Sequence, residues 1–305
     1  MTDLVIRPLA AGEGSLFDTL DLPQLVGFGI FGRNFAEMWA KGEYRPEWTW
    51  VALREGRVVA RAAWWGGPED TEPVALDWFD FTEFDAGVAL LRATGFRAEY
   101  ELALPADWRE RPEVVAARQA RIDAAVEAGM RPLVDRFRYT WTLDDGLPER
   151  PGRLEFRPEP DDAAIHAAFM RTHEGTLDAH ARRAIAQGGL KQAADEELEF
   201  LRWLPSPREW WRLAYTPGGD LVGVTVPGRN YSGAVVGIIG VVPEHRGHGY
   251  GYDLLVECTH VLVEAGETTV LAATDLGNKP MAAAFERAGY PVSQERAVLE
   301  WPAKG

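Results

Sequence analysis

Val241-Val242-Pro243-Glu244-His245-Arg246-Gly247-His248-Gly249-Tyr250-Gly251 separates an apolar run over residues 234–242 from a segment with helical periodicity. Leu254, Leu255, Cys258, Val261, Leu262 and Ala265 recur at that spacing and Gly266 closes it. A buried strand leading into a helix through alternating glycines is a place where a ligand can approach the backbone closely. No Cβ blocks the approach at Gly247, Gly249 or Gly251. The free amides of the helix start and the positive end of its dipole favour an anion, most simply a phosphate, and Arg246 adds a permanent positive charge. Two other phosphate loops fail here. A dinucleotide fingerprint needs a third glycine where Tyr252 stands, and the Gly-Lys-Ser/Thr of a Walker loop occurs nowhere.

Working outward, residues 154–157 read as a strand, and Asp161 as the cap of a helix running to about Thr172. Residues 195–203 continue as helix. Residues 211–215 and 221–226 form a hairpin across Thr216-Pro217-Gly218-Gly219-Asp220. After the central strand and helix come a buried strand over 269–273, a helix between Pro280 and Gly289, and a closing strand over 292–301. The order is β-α-α-β-β-β-α-β-α-β, an α/β fold with a mixed sheet and helices on both faces.

The first half repeats this order. Leu4-Val5-Ile6-Arg7-Pro8 parallels Leu154-Glu155-Phe156-Arg157-Pro158 at an offset of 150. Trp50-Val51-Ala52-Leu53 parallels Trp211-Arg212-Leu213-Ala214, Ala128-Gly129-Met130 parallels Ala288-Gly289-Tyr290, and Trp141 parallels Trp301 at about 160. Two similar domains in tandem are expected, 1–145 and 153–305, joined by a linker over 146–152 that holds Gly146, Pro148, Pro151 and Gly152.

Arg246-x-x-Gly249-x-Gly251, preceded by Val241-x-Pro243, resembles the pyrophosphate-binding motif of the GNAT superfamily of N-acetyltransferases. Asn278, followed by Pro280 and the helix that ends at Ala288-Gly289-Tyr290, is similar to the family's second cofactor signature. The resemblance covers residues 153–303, and it reaches 1–145 only through the repeat. It implies two splayed strands that expose backbone groups to acetyl-CoA as co-substrate. Ile239, Gly240, Val241 and Val242 would then meet pantetheine, Arg246, Gly247, His248, Gly249, Tyr250 and Gly251 the pyrophosphate, and Asn278 the pantetheine or thioester. In the first copy, an offset of 161 puts Asp85-Ala86-Gly87-Val88-Ala89-Leu90 under the loop. An aspartate there repels pyrophosphate, so the N-terminal domain is expected to be degenerate and to serve as a wall of the acceptor cleft and an interaction surface.

The resemblance also implies direct transfer of acetyl to a primary amine of a small molecule or peptide, in a ternary complex and with no covalent enzyme intermediate. Tandem chains of this size in the family include mycothiol synthase-type enzymes; no motif specifies that acceptor here. The tyrosine that often protonates the departing thiolate is replaced by Phe285. The candidates for proton removal are His173 and Glu174, which would roof the acceptor site, and Asp275. The competing reading is a non-catalytic acyl-CoA sensor or docking module.

Composition narrows the remaining classes. The chain has 305 residues and a net charge of −15, acidic in both halves, so nucleic acid is not an expected partner and the field favours amines. His166, His173 and His180 recur every seven residues, too far apart along a helix to share one metal, and Cys258, the only cysteine, sits on an apolar helical face; no metal is expected. The N-terminal stretch has no signal-peptide pattern and no run reaches membrane-spanning length, so a cytoplasmic protein, monomeric or homodimeric, is expected. Arginine exceeds lysine 28 to 4, a bias that suggests a GC-rich bacterial genome.

Overall fold

The computed structural model describes residues 3–67, 69–230 and 232–302. They form two compact units, one of residues 1–135 with 294–305 and the other of residues 136–293. In chain order the elements begin with β1 (Leu4–Pro8), α1 (Gly14–Phe17), α2 (Phe35–Ala40), β2 (Thr49–Arg54), β3 (Arg57–Trp65) and β4 (Ala75–Phe81). Then follow α3 (Phe84–Thr94), β5 (Glu99–Pro105), α4 (Pro112–Ala128) and β6 (Arg131–Thr142). The second copy runs β7 (Glu155–Pro158), α5 (Asp162–His173), α6 (Ala179–Trp203), β8 (Arg212–Tyr215), β9 (Leu221–Asn230) and β10 (Gly233–Val241). It ends with α7 (Tyr250–Glu264), β11 (Thr269–Asp275), α8 (Lys279–Arg287) and β12 (Val292–Glu300).

The element order matches the sequence reading, with one long helix more fully formed than expected. Residues 179–203 are helical on both sides of Gly189, whose φ of 82° and ψ of −179° break the helix into two arms. The Gly188-Gly189 pair hides the first arm from a periodicity reading. Local signals hold where a physical cause was named. Asp161 caps α5 by accepting from Ala163 N at 3.0 Å, and Pro280 lies in the first turn of α8, where a missing N–H costs nothing.

The units do not follow the expected division at residues 146–152. β12 leaves the C-terminal copy and pairs antiparallel with β5, from Gln294 opposite Pro105 to Leu299 opposite Tyr100. β6 leaves the N-terminal copy and pairs with β11, from Thr269 opposite Thr142 to Asp275 opposite Arg136. The two copies have exchanged their last strands. Tyr139 and Trp141 of β6 are therefore core residues of the second unit, beside Phe285 and Tyr290. Ala297 and Leu299 of β12 join the core of the first.

Each unit has a strand pair that opens. In the second, β10 and β11 are parallel neighbours only at Ala234–Val270 and Val235–Leu271, then diverge. The register of β10 on β9 slips between Val236 and Ile238, leaving Gly237 as the extra residue. A Cβ on Gly237 would lie 2.6 Å from Val226 O, so only glycine allows this bulge. In the first unit, β4 and β5 pair only at Ala75–Glu99 and Leu76–Tyr100, and the skipped residue is Asp77.

Candidate active site

The open side of β10 and the N-terminus of α7 enclose a cavity of about 600 Å³. Ile239, Gly240 and Val241 line it from the strand, Arg246, Gly247, Gly249, Tyr250 and Gly251 from the loop and helix start, and Asn278 from α8. Gly249 takes φ 76° as the residue before α7, a left-handed conformation that glycine adopts without strain. Although 47 of the 305 residues are acidic, no Asp or Glu lines this cavity, whereas Arg246, Arg287 and His245 do. That lining departs from the net charge of the chain and suits a polyanion.

Two of the expected cofactor residues take no part in it. Val242 is fully buried, and its N–H already donates to Val222 O at 2.9 Å, so it has nothing to offer pantetheine. His248 stands outside the lining, with Nδ1 3.0 Å from Arg246 O and its ring stacked on Tyr250. Arg246 does more than present charge. It donates from Nε to Val241 O at 3.1 Å, from Nη2 to Thr172 O at 2.8 Å and from Nη1 to Gly175 O at 3.3 Å. These bonds tie the end of α5 to the loop and leave two of its five N–H groups for a ligand.

Sequence reasoning missed Arg153. Its Nε donates to Asp253 Oδ1 at 3.0 Å and Nη1 to His248 O at 3.1 Å, and its guanidinium lies over the Tyr250 ring at 4.9 Å. It braces the loop from the linker side. Asp253, in the first turn of α7, is the buried carboxylate that holds it.

A second cavity, of about 540 Å³, lies on the other side of the splay, roofed by α5 and α6. Thr172, Thr176, Ile239, Gly240, Asn278 and Met281 line both cavities, so the two meet where β10 and β11 part. Asn278 also caps α8, accepting from Met281 N at 3.3 Å through Oδ1. Gly240 permits the close roof, since a Cβ there would meet the Thr172 side chain at 2.8 Å.

The three candidates for proton transfer part company. His173 lines the second cavity; its side chain is buried, with Nε2 3.3 Å from Glu197 Oε2 and Nδ1 buried with no hydrogen-bond partner among the described residues. Glu174 is exposed at the end of α5 and lines neither cavity. Asp275 accepts from Ala179 N at 2.7 Å and pairs with Arg136 at 3.0 Å, so it caps α6 and anchors β6 rather than facing either cavity. Burial raises its carboxyl above the ordinary range, with the neighbouring Asp178 adding to the effect. Phe285 is fully buried and stacked on Tyr139 at 4.3 Å, so no hydroxyl stands at that position. Tyr290 and Cys258 are core residues, Tyr290 with its hydroxyl 2.7 Å from Thr259 Oγ1.

The first unit differs from the second at the corresponding place. Only two residues, Thr82 and Glu83, connect β4 to α3, against eight between β10 and α7. The phosphate loop is absent, and Asp85 to Leu90 are helical instead of forming a loop. Gly87 brings α3 onto β4, where a Cβ would meet the Phe81 ring at 2.7 Å. The splay is occupied by the chain itself. Gly27 N donates to Ala103 O of β5 at 2.7 Å, and Asp77 at the bulge binds Arg33 and accepts from the Tyr44 hydroxyl at 2.9 Å.

Among the described residues, no three His, Cys, Asp or Glu side chains are placed to hold a metal ion, and no helix is long and apolar enough to cross a membrane. Residues 178–290 match the acetyltransferase (GNAT) family. No curated protein is significantly similar to the chain in sequence. Among solved structures, a GCN5-related N-acetyltransferase from Sphaerobacter thermophilus is 16% identical over 97% of this chain and 94% of its own, with a TM-score of 0.59. A tandem GNAT protein from the clavulanic acid biosynthesis pathway is 19% identical over 99% of each chain, with a TM-score of 0.50. At these identities the likeness establishes the fold. The chain is a mixed α/β protein of tandem GNAT fold, and the family match falls on residues 178–290 of its second half, which supply most of the lining of both cavities.

Proposed function

We propose that the second unit transfers acetyl from acetyl-CoA to a primary amine of a small molecule or peptide, by direct attack in a ternary complex. The observation that carries this reading is the carboxylate-free cavity at the start of α7, opening into a second cavity where β10 leaves β11. Acetyl-CoA supplies an activated acyl carbon. The N–H groups of Tyr250 and Gly251, with the helix dipole and Arg246, hold its pyrophosphate. The unpaired edge of β10 at Ile239 to Val241 takes the pantetheine arm as an added strand, and a backbone N–H near Val241 stabilises the developing oxyanion.

His173 is the base in this scheme. Glu197 holds a proton on Nε2, which leaves the Nδ1 lone pair to accept the proton that the amine gives up. The new N–C bond forms as the C–S bond breaks, and that proton balances the departing thiolate. The first unit, without a loop and with its splay filled, binds no second CoA.

Phe285 favours one alternative, an acyl-CoA-binding module without turnover, because no hydroxyl stands where the family often protonates the thiolate. A calorimetric titration with acetyl-CoA, followed by thiol release in an amine screen, separates the readings. One site per chain and turnover support the transferase, one site without turnover supports the sensor, and no binding removes both.

A further inference from the structure

The two cavities of the second unit meet in a short passage walled by Thr172, Thr176, Ile239, Gly240, Asn278 and Met281. Five of these six have little freedom. Thr172 Oγ1 donates to Phe169 O at 3.2 Å, and Thr176 Oγ1 accepts from Asp178 N at 3.2 Å. Asn278 Oδ1 caps α8. Ile239 is β-branched on a strand, and Gly240 has no side chain. Met281 alone is long and unbranched, with a thioether that turns about three bonds. It stands half-buried in the first turn of α8, one turn before the fully buried Phe285. Its sulfur lies 3.9 Å from the place a Cβ on Gly251 would take, so the side chain reaches from α8 to the start of α7.

An amine that attacks a thioester makes a carbon with four substituents, and each needs its own direction in the passage. On the acetyl-transfer reading, on which this inference rests, the sulfur comes from the first cavity and the amine nitrogen from the second. The oxygen turns to a backbone N–H of β10. The alkyl part of the acyl group takes the direction that is left. The end of α5 offers no room for it, because Thr172 packs so closely on Gly240 that a Cβ there would meet its side chain at 2.8 Å. The remaining wall is α8, where Met281 stands. We propose that Met281 sets the length of the transferred acyl group, leaving space for acetyl and closing the passage to longer chains. The N–C bond forms and the C–S bond breaks in the same way for any acyl group, so Met281 acts on size alone.

The test titrates the full chain with CoA, acetyl-CoA, propionyl-CoA, butyryl-CoA and hexanoyl-CoA by calorimetry, which needs no knowledge of the acceptor. In the wild type acetyl-CoA should bind at least as tightly as CoA, and hexanoyl-CoA tenfold or more weakly than acetyl-CoA. Met281→Ala should narrow that gap several-fold by improving the affinity for the long chains, with acetyl-CoA affinity little changed. Met281→Leu keeps the volume of the side chain and should keep the wild-type order, which separates size from a general loosening of α8. Thiol release in the amine screen should follow the same order of chain length. Equal or tighter wild-type binding of the long chains, an unchanged gap in Met281→Ala, or a gap lost equally in Met281→Leu overturns the proposal. CoA binding without discrimination among acyl groups overturns this inference alone, whereas no binding of CoA or of any thioester overturns the acetyl-transfer reading and this inference with it.

Discussion

Cutting the chain in two ways tests the exchange of strands directly. A fragment of residues 136–293 keeps the second unit whole, including the β6 residues that pair with β11. A fragment of residues 146–305, almost the same length, keeps the whole C-terminal sequence copy but loses β6. Both retain Arg150 and Arg153, which bind Glu257 and Asp253 on α7. The second fragment loses Tyr139 and Trp141, whose residues are 3% and 0% exposed and whose rings stack on Phe285 and Tyr290. Removing a buried aromatic side chain costs about 3–5 kcal/mol, so the two together cost roughly 6–10 kcal/mol before the lost ladder is counted. That is comparable to the about 5–15 kcal/mol that holds a domain folded. Chemical denaturation followed by circular dichroism should therefore show a cooperative transition for 136–293 and none for 146–305. A peptide of residues 131–145 added in trans should restore it. Two fragments with equal transitions, or a stable 146–305 beside an unfolded 136–293, would refute the reasoning.

Three further outcomes follow from the sites. Gly249→Val places a β-branched residue at φ 76°, a conformation that costs about 1–2 kcal/mol for an L-residue; acetyl-CoA affinity should fall tenfold or more by calorimetry, and equal affinity would remove the loop from the binding site. His173→Gln should lower kcat about a hundredfold, with Glu197→Gln intermediate and the deficit shrinking as pH rises and the amine deprotonates unaided; wild-type kcat in both would exclude the pair from proton transfer. In the first unit, burial pushes the Asp77 carboxyl up to about 6 against the pull of Arg33. A carboxyl raised in the folded state stabilises the fold fully below about pH 4, the ordinary aspartate range, and that contribution fades as pH climbs through 6. The difference in urea midpoint between the wild type and Asp77→Asn should therefore change between pH 4 and 7 and level off outside that range.

Much of this molecule is legible in its residues, and the rest is hidden for identifiable reasons. Alternating glycines before an apolar helix place the phosphate loop, and capping residues place α5 and α8, because those signals act over a few residues. The exchanged strands leave no such mark. Trp141 near the end of β6 and Trp301 just after β12 correspond in the repeat, and either strand has the pattern to complete either unit. A constant offset across the repeat also misleads at Asp85, since the connection there is six residues shorter and the comparison slides into a helix. Glu197 reaches His173 only because α6 folds back over α5, a contact across 24 residues. The net acidity of the chain says nothing of the cavity at α7, where no carboxylate lines the wall.

The exchange of last strands also sets a timetable for synthesis. Residues 1–135 leave the ribosome before residues 136–293, yet their unit is closed by residues 294–302, which follow both. At about 5–20 residues per second, the edge of β5 waits roughly 10–40 seconds for its neighbour. The second unit has β6 in hand from its outset and is complete at residue 293. The half that is translated first is thus the half that finishes last, and during that interval its open sheet edge is the surface on which a chaperone, or a neighbouring nascent chain, would act.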